Sequence, residues 1–392
     1  MVFHTNLKLE GFKNKIMKVV LVGDFPEGDK TYGGVQGVLV NMTNAFLNRD
    51  DIKLVLVSTT PACTFENFKN RCSVFTINFR SSFFKARKDF DFIIEKENPD
   101  IIHLQGVVPG VLLFRRKYEQ NFVVTQHAIL GEERILQVNK KRKVLFRLKE
   151  LTENFYLKRI KNIVFISDYN KQIYLRNNKR AHEINYELIA NPVNDIFYEN
   201  EPVLNYTSSN DVYFVGEIKK RKGLHLLIQA VNLLKIKNLQ IKVHVIGGYK
   251  EQEYRREIEA LIKKLKVEDQ IFFCGWKNQT EVLEYAKEIP VFVLPSYQET
   301  LPLSIAEAMS QGKAVVATNI CGIPEMIEHG QSGYLFEKGN FDELAQILEE
   351  IFSNPERLRK VSANALVRSE KYRPMNVIEN TIGFYKKVLE KG

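Results

Sequence analysis

Two carboxylates, Glu299 and Glu307, are separated by seven residues in Leu294-Pro-Ser-Tyr-Gln-Glu-Thr-Leu-Pro-Leu-Ser-Ile-Ala-Glu-Ala-Met-Ser-Gln-Gly312. The apolar run Val291 to Leu294 predicts a strand ending where this stretch begins. A polar loop follows, then a helix over 303–311 whose entry Pro302 pre-sets and which Gly312 stops as the residue beyond the cap. Unpaired N–H groups and the positive dipole end of such a helix suit an anion such as a diphosphate. Glu307, one turn in, can accept hydrogen bonds from hydroxyls such as those of a ribose, and Glu299 in the loop can do so for a hexose. On the residues alone, a loop acid and an exposed helical glutamate fit this stretch equally well.

Two further candidates lie in the first half. Gly33 and Gly34 end the first strand-to-helix loop, where the absence of side chains lets backbone N–H groups approach a phosphate. A Gly-Gly pair is also an ordinary turn. His127 closes a predicted strand, where an imidazole could bond a sugar hydroxyl or steady charge near a leaving group, though a single histidine is by default structural. His103 sits at a comparable strand end and is weighted toward structure. The sole Asp-x-Asp, Asp89-Phe-Asp91, falls mid-helix among Phe83, Phe84, Phe90 and Ile94 and reads as a solvated face, so it offers no metal site.

The elements that must position these residues alternate. Short β-branched runs at 18–22, 53–57, 101–104, 122–125 and 163–166 are interleaved with helical stretches, and after an Asn/Pro/Ser-rich break over 191–210 the alternation resumes at 212–215, 241–246, 270–273, 291–294 and 314–318. That pattern predicts parallel sheets covered by helices, in two doubly wound domains. Open parallel sheets bind ligands at their strand carboxyl ends, which places the expected site in a cleft between the domains. The predicted division is an extension over 1–16, a first domain over 17–190, a linker over 191–210, a second domain over 211–372, and a terminal helix over 373–392 packing back on the first domain.

Length, 392 residues, suits two domains, and 44% hydrophobic with 27% charged residues excludes a disordered chain. No apolar run is long enough to span a bilayer, and 1–18 lacks the apolar core of a secretory signal, so a cytoplasmic location is expected. Cys63, Cys72, Cys274 and Cys321 show no paired spacing and are read as reduced thiols, with no zinc site. Of the net charge of +10, most lies in residues 1–200, where 31 basic residues face 22 acidic ones. Arg134 to Lys161 alone carries ten basic residues against two acids, interleaved with Phe146, Leu148, Leu151, Phe155 and Leu157. The two main readings of this basic amphipathic helix are an apolar stripe against the core and a surface for anionic lipid. No nucleic-acid motif accompanies the charge, so nucleic acid is not an expected partner.

The motif P-S-x-x-E-T-L-P-L-x-x-x-E-A-M-x-x-G resembles the E-x7-E signature of glycosyltransferase family 4, whose fold is GT-B, two Rossmann-like doubly wound parallel-sheet domains facing across a cleft. The resemblance extends to Gly322-Ile-Pro-Glu325, Gly330-Gln-Ser-Gly333, Phe214-Val-Gly216 through Arg221-Lys222-Gly223, Ile246-Gly-Gly248, Phe273-Cys-Gly275, Tyr32-Gly-Gly34, Asp100-Ile-Ile-His103, Thr125-Gln-His127, Ile166-Ser167 and Ala190-Asn-Pro-Val193. It covers roughly 17–390.

The resemblance implies that Glu307 binds the donor ribose, that Glu299 and the backbone of Thr300, Leu301, Pro302 and Leu303 hold the donor sugar, and that Lys222 meets the diphosphate beside Gly216. It implies roles for Gly33, Gly34 and His127 at the same site. The family carries an arginine where this chain has Glu217, so Arg221 is expected to supply the second cation. Also implied are a nucleotide-diphosphate sugar as donor, a glycan or lipid-linked acceptor, retention of anomeric configuration, and no metal or other cofactor. Competing expectations are another GT-B activity, epimerase or phosphorylase-type, and a sugar-nucleotide-binding protein without turnover.

Overall fold

The computed structural model describes residues 16–391 except 27–33, 61–67, 69, 80–81, 107–109, 128, 136–139, 179–183, 200–201 and 203–209. Gly33 and Cys63 therefore lie outside the described residues. The chain forms two compact units, one of residues 1–192 with 374–392, the other of 193–373.

The first unit runs β1 (Met17–Gly23), α1 (Gly34–Leu47), β2 (Ile52–Ser58), β3 (Ser73–Thr76), α2 (Phe83–Glu97), β4 (Ile101–Gln105), β5 (Phe122–Gln126), α3 (Leu130–Ile135), α4 (Lys140–Leu157), β6 (Asn162–Phe165), α5 (Asp168–Asn177) and β7 (Asn185–Leu188). Its strands pair in parallel in the order β3-β2-β1-β4-β5-β6-β7. Val19 to Val22 and Val55 to Val57 are wholly buried because helices cover both faces, which is why these strands are continuous apolar runs.

The second unit runs α6 (Ile196–Glu199), β8 (Asp211–Val215), α7 (Leu224–Ile236), β9 (Lys242–Ile246), α8 (Gln252–Leu265), β10 (Ile271–Gly275), α9 (Gln279–Tyr285), β11 (Val291–Leu294), α10 (Leu303–Ser310), β12 (Ala314–Thr318), α11 (Ile323–Met326), β13 (Tyr334–Phe336), α12 (Phe341–Ser353) and α13 (Pro355–Ser369). All strands are parallel in the order β10-β9-β8-β11-β12-β13. The last helix, α14 (Pro374–Lys391), belongs to the first unit, where it packs on α1.

The alternation missed β3, β7 and β13, three edge strands of three or four residues. β3 and β7 have a neighbour on one side only and are largely half-exposed, so neither needed an apolar run. The basic stretch after β5 also differs from expectation. It is two helices, α3 and α4, and the apolar stripe of α4 does not face a core: Val144, Leu145, Leu148, Leu151 and Phe155 are each more than half exposed. Asp91 is likewise not a solvated residue, since it pairs with Arg115 at 2.7 Å and accepts from the Tyr118 hydroxyl at 2.7 Å.

In both sheets the strand order reverses beside the first strand, and the loops leaving β8 and β11 are neighbours at that reversal in the second unit. They approach so closely at Gly223 (φ +71°) that a Cβ there would sit 1.9 Å from the Pro295 carbonyl oxygen. Only glycine fits. Gly223→Ala is expected to lower unfolding free energy by at least ~2 kcal/mol in chemical denaturation, since it adds a clash to a left-handed conformation. Gly37, inside α1 with open space around it, is the contrast: Gly37→Ala should stabilise by up to about 1 kcal/mol.

Candidate functional site

The loop after β8 carries Lys222 and the loop after β11 carries Glu299, and their side chains meet. Lys222 Nζ donates to Glu299 Oε1 at 2.6 Å, Ser296 Oγ donates to the same oxygen at 2.9 Å, and Arg221 Nη1 lies 3.8 Å from Glu299 Oε2. Arg221 also donates to the Gln298 carbonyl at 2.6 Å, and the Tyr297 N–H returns a 2.8 Å bond to the Arg221 carbonyl. Side chain and main chain thus cross-link the two loops. Glu299 is buried, which by itself pushes its carboxyl up, but the charges of Lys222 and Arg221 and the bonds from Lys222 and Ser296 outweigh that and hold its pKa below the usual value. The site is therefore an ionised, almost dry carboxylate held by two cations. Gly216 stands beside it, where an added Cβ would meet Lys222 Cε at 3.7 Å.

Thr300, Leu301 and Pro302 lead directly into α10, which starts at Leu303 with Pro302 at the cap position and no side-chain cap. Glu307 lies on α10, its carboxyl recessed into a small cavity lined also by Phe197, Tyr213, Ser304, Gln311 and Lys313. Burial pushes that carboxyl up to about 7, against a 2.9 Å hydrogen bond from Gln279 Nε2 to its Oε1. Glu299 and Glu307 thus sit in opposite electrostatic states, one clamped by cations and one poised near neutrality. Glu217 sits apart from this pair: it binds Lys219 at 2.6 Å and Lys250 at 3.2 Å, and although burial pushes its carboxyl up, these partners hold it below the usual value. Its negative charge is met by two lysines.

Gly34 and His127 belong to the other unit, Gly34 as the first residue of α1. His127 is buried at the end of β5 and bonds through Nε2 to Gln105 Oε1 at 2.7 Å, while its Nδ1 makes no hydrogen bond of ordinary geometry although the Asn191 side chain lies near. Gln105 in turn reaches His103, whose Nε2 meets Thr125 Oγ1 at 2.7 Å and whose Nδ1 meets the Tyr385 hydroxyl of α14 at 2.5 Å. His103 is thus a structural residue tying the terminal helix to the sheet. Burial lowers His127 to about 4 and His103 to about 3, so neither ring carries charge near neutral pH. What His127 can offer there is a hydrogen bond and not an imidazolium.

Sequence reasoning missed Ser296, Gln279 and Asn194. Ser296 was legible as the serine of the P-S-x-x-E loop, whereas Gln279 lies 28 residues from Glu307 on another helix, and no local pattern marks it.

Comparison with known proteins fits this geometry. Residues 198–368 match the glycosyl transferases group 1 and residues 32–195 match glycosyltransferase family 4. An uncharacterized glycosyltransferase of Haemophilus influenzae is 26% identical over 368 residues, 92% of this chain and 99% of that one. The amylovoran biosynthesis glycosyltransferase AmsK of Erwinia amylovora is 34% identical over 140 residues, 34% of each chain. Anabaena HepE, solved in complex with UDP-glucose, superposes with a TM-score of 0.72 at 19% identity, covering 96% of this chain and 99% of that one. Two parallel-sheet α/β units of this kind define a glycosyltransferase of the GT-B fold. The chain belongs to glycosyltransferase family 4.

The two buried histidines make stability depend on pH. Both have folded-state pKa values below the ordinary 6.5, so the unfolded chain binds protons that the native state refuses. Their contribution is complete above about pH 6.5 and is lost as pH falls toward 4. Unfolding free energy should fall by on the order of 5 kcal/mol over that window from these two rings, since each tenfold loss of proton affinity on folding is worth ~1.4 kcal/mol. His127→Asn should reduce the fall by about 2 kcal/mol, and an undiminished fall would show that the ring is not held neutral.

Proposed function

We propose that this glycosyltransferase moves a hexose from a nucleotide-diphosphate sugar to a hydroxyl of a glycan or lipid-linked acceptor, with retention of configuration and without a divalent metal, in the synthesis of cell-surface polysaccharide or glycolipid. The observation that carries the reading is the Lys222–Glu299 pair with Arg221 beside it, at the sheet reversal of the second unit. An arriving diphosphate competes for the two cations, charge-assisted bonds to Lys222 and Arg221 replace their bonds to Glu299, and the freed ionised carboxylate accepts from sugar hydroxyls. The uncapped start of α10 adds N–H groups and a positive dipole end for the same anion. Glu307, recessed on that helix, takes the ribose hydroxyls.

As the C1–O bond to the diphosphate breaks, the electron pair leaves with the phosphate oxygen and the acceptor oxygen attacks C1 from the departing face. Its proton passes to the leaving diphosphate. Positioning and fixed charge then supply catalysis, with no covalent residue required. Two cations already stand where a metal would otherwise neutralise the phosphates, and the chain's Asp-x-Asp is committed at Asp91 to Arg115 and Tyr118. The biosynthetic role is supported by AmsK, whose name places it in amylovoran synthesis, and UDP-glucose, the ligand of HepE, is the first donor to test.

The same reading accounts for α4. Val144, Leu148, Leu151 and Phe155 recur at spacings of three and four along one exposed face, among Lys140, Lys141, Arg142, Lys143, Arg147 and Lys149. An exposed apolar stripe rimmed with cations suits the headgroup boundary of an anionic bilayer, where a lipid-linked acceptor resides. No helix among the described residues is long and apolar enough to cross a membrane, so contact at the surface is the mode this helix offers.

Lys222→Ala and Glu307→Ala, folded normally, are each expected to lower kcat/KM for the donor by roughly 100-fold. Full turnover in both would remove the site assignment. EDTA should leave the rate unchanged, and NMR of the product should show the donor's anomer; an inverted linkage would sink the mechanism. For α4, co-sedimentation should favour vesicles containing phosphatidylglycerol over neutral ones, weaken with salt and fall at least tenfold in Leu148→Glu/Leu151→Glu. Equal, salt-indifferent binding to both vesicle types would overturn the membrane account.

A further inference from the structure

We propose that Gln279 is a positioning residue for Glu307 and that Asn194 sets the direction in which its amide points. The inference rests on the reading of Glu307 as the group that takes the donor's ribose. Asn194 lies two residues past the boundary between the two units, and a line of three hydrogen bonds runs from the Ile196 N–H through Asn194 and Gln279 to Glu307. The Ile196 N–H donates to Asn194 Oδ1 at 3.2 Å, Asn194 Nδ2 donates to Gln279 Oε1 at 2.9 Å, and Gln279 Nε2 donates to Glu307 Oε1 at 2.9 Å. An amide side chain can turn over and exchange its donor for its acceptor, but a backbone N–H can only donate. Because the line begins at the Ile196 N–H, Asn194 must face it with oxygen, Gln279 must face Asn194 with oxygen, and Glu307 must receive an N–H. The start of the line is itself anchored to the end of the helix that bears Glu307, since the amide of Gln311, which caps that helix, donates to the Phe197 carbonyl.

That polarity matters because Glu307 is recessed and sits near the point where it holds or loses its proton. A donor on Oε1 favours the carboxylate, which can accept two ribose hydroxyls; a protonated carboxyl presents an O–H of its own and accepts less well. Gln279 therefore keeps Glu307 in the accepting state without touching the nucleotide. The other titratable groups lining the same cavity are Tyr213, from β8, and Lys313, which precedes β12. Lys313 is buried, donates to the Lys287 carbonyl at 2.5 Å and is pushed down to about 7, so its titration overlaps that of Glu307 and must be separated from it.

Gln279→Met removes the donor at nearly constant shape. Asn194→Asp leaves both Gln279 and Glu307 intact but puts an acceptor where the Gln279 oxygen needs a donor, so the Gln279 amide turns and offers Glu307 its oxygen. The measurement is calorimetric binding, between pH 5.5 and 8.5, of whichever nucleoside diphosphate the wild type binds from UDP, GDP, ADP and dTDP, in two buffers of different ionisation heat. Wild-type affinity should rise with pH through about 7, with proton release on binding below that point. In both variants the rise should move up by about one pH unit, weakening binding roughly fivefold at neutral pH, approaching about tenfold at the acid end of the range, and increasing the protons released. Lys313→Met should keep the wild-type rise; its loss there would assign the titration to Lys313 and overturn the proposal. Glu307→Gln separates the two levels of inference. If it weakens binding while Gln279→Met and Asn194→Asp leave the pH profile unmoved, the positioning role is wrong and the ribose reading stands. If Glu307→Gln binds the nucleotide as wild type does, the ribose reading falls and the positioning role with it.

Discussion

A carboxylate nearly without solvent is the constraint around which the second unit is organised. Removing Glu299 from water costs several kcal/mol unless opposite charge and hydrogen bonds replace the lost hydration, and here Lys222, Arg221 and Ser296 supply them. The two cations come from a loop 77 residues away, so the compensation exists only if two strand-ending loops are brought side by side. The strand order does so by placing β8 next to β11, and Gly223 permits the last step, an approach that any side chain would block. An anion that satisfies the two cations in place of Glu299 meets a site that is already charged and whose two loops are already cross-linked by side chain and main chain.

The neighbouring carboxyl obeys the opposite rule. Glu307 has burial without a cation, so its charge is held only by an amide donor, and it stays close to its titration point. One fold thus presents two glutamates, with seven residues between them, in opposite electrostatic states, because their surroundings and not their chemistry differ. In the first unit, burial is used another way. His103 and His127 are kept neutral inside a line of hydrogen bonds that runs from β5 through β4 to the hydroxyl of Tyr385, so the last helix of the chain is keyed to the first sheet by polar contacts as well as by packing.

Glu217 shows why a departure from a motif has to be read in three dimensions. Along the chain it looks like a carboxylate facing the phosphates. In the fold it is occupied by Lys219 and Lys250, and Arg221 is the residue beside Glu299. The exposed stripe of α4 carries the same lesson in reverse, since apolar residues at helical spacing ordinarily announce a core, and here they face solvent among six cations.

The sequence alone determined what depends on local patterning. Alternating apolar runs and helical periods are set by backbone sterics and by burial on two faces, so the parallel α/β class and the buried strands were legible, as were the loop and helix that carry Glu299 and Glu307. The edge strands β3 and β7 were not, because a half-exposed strand with one neighbour needs no apolar run, and β13 was too short, at three residues, to stand out. Nor could the sequence say that Lys222 touches Glu299, that Glu217 is taken by lysines, that Gln279 and Asn194 stand behind Glu307, or that α4 leaves its apolar face uncovered. Each of these depends on residues far apart along the chain, brought together or left apart only when the sheets assemble, and the energy of a charge or an apolar side chain is set by what then surrounds it.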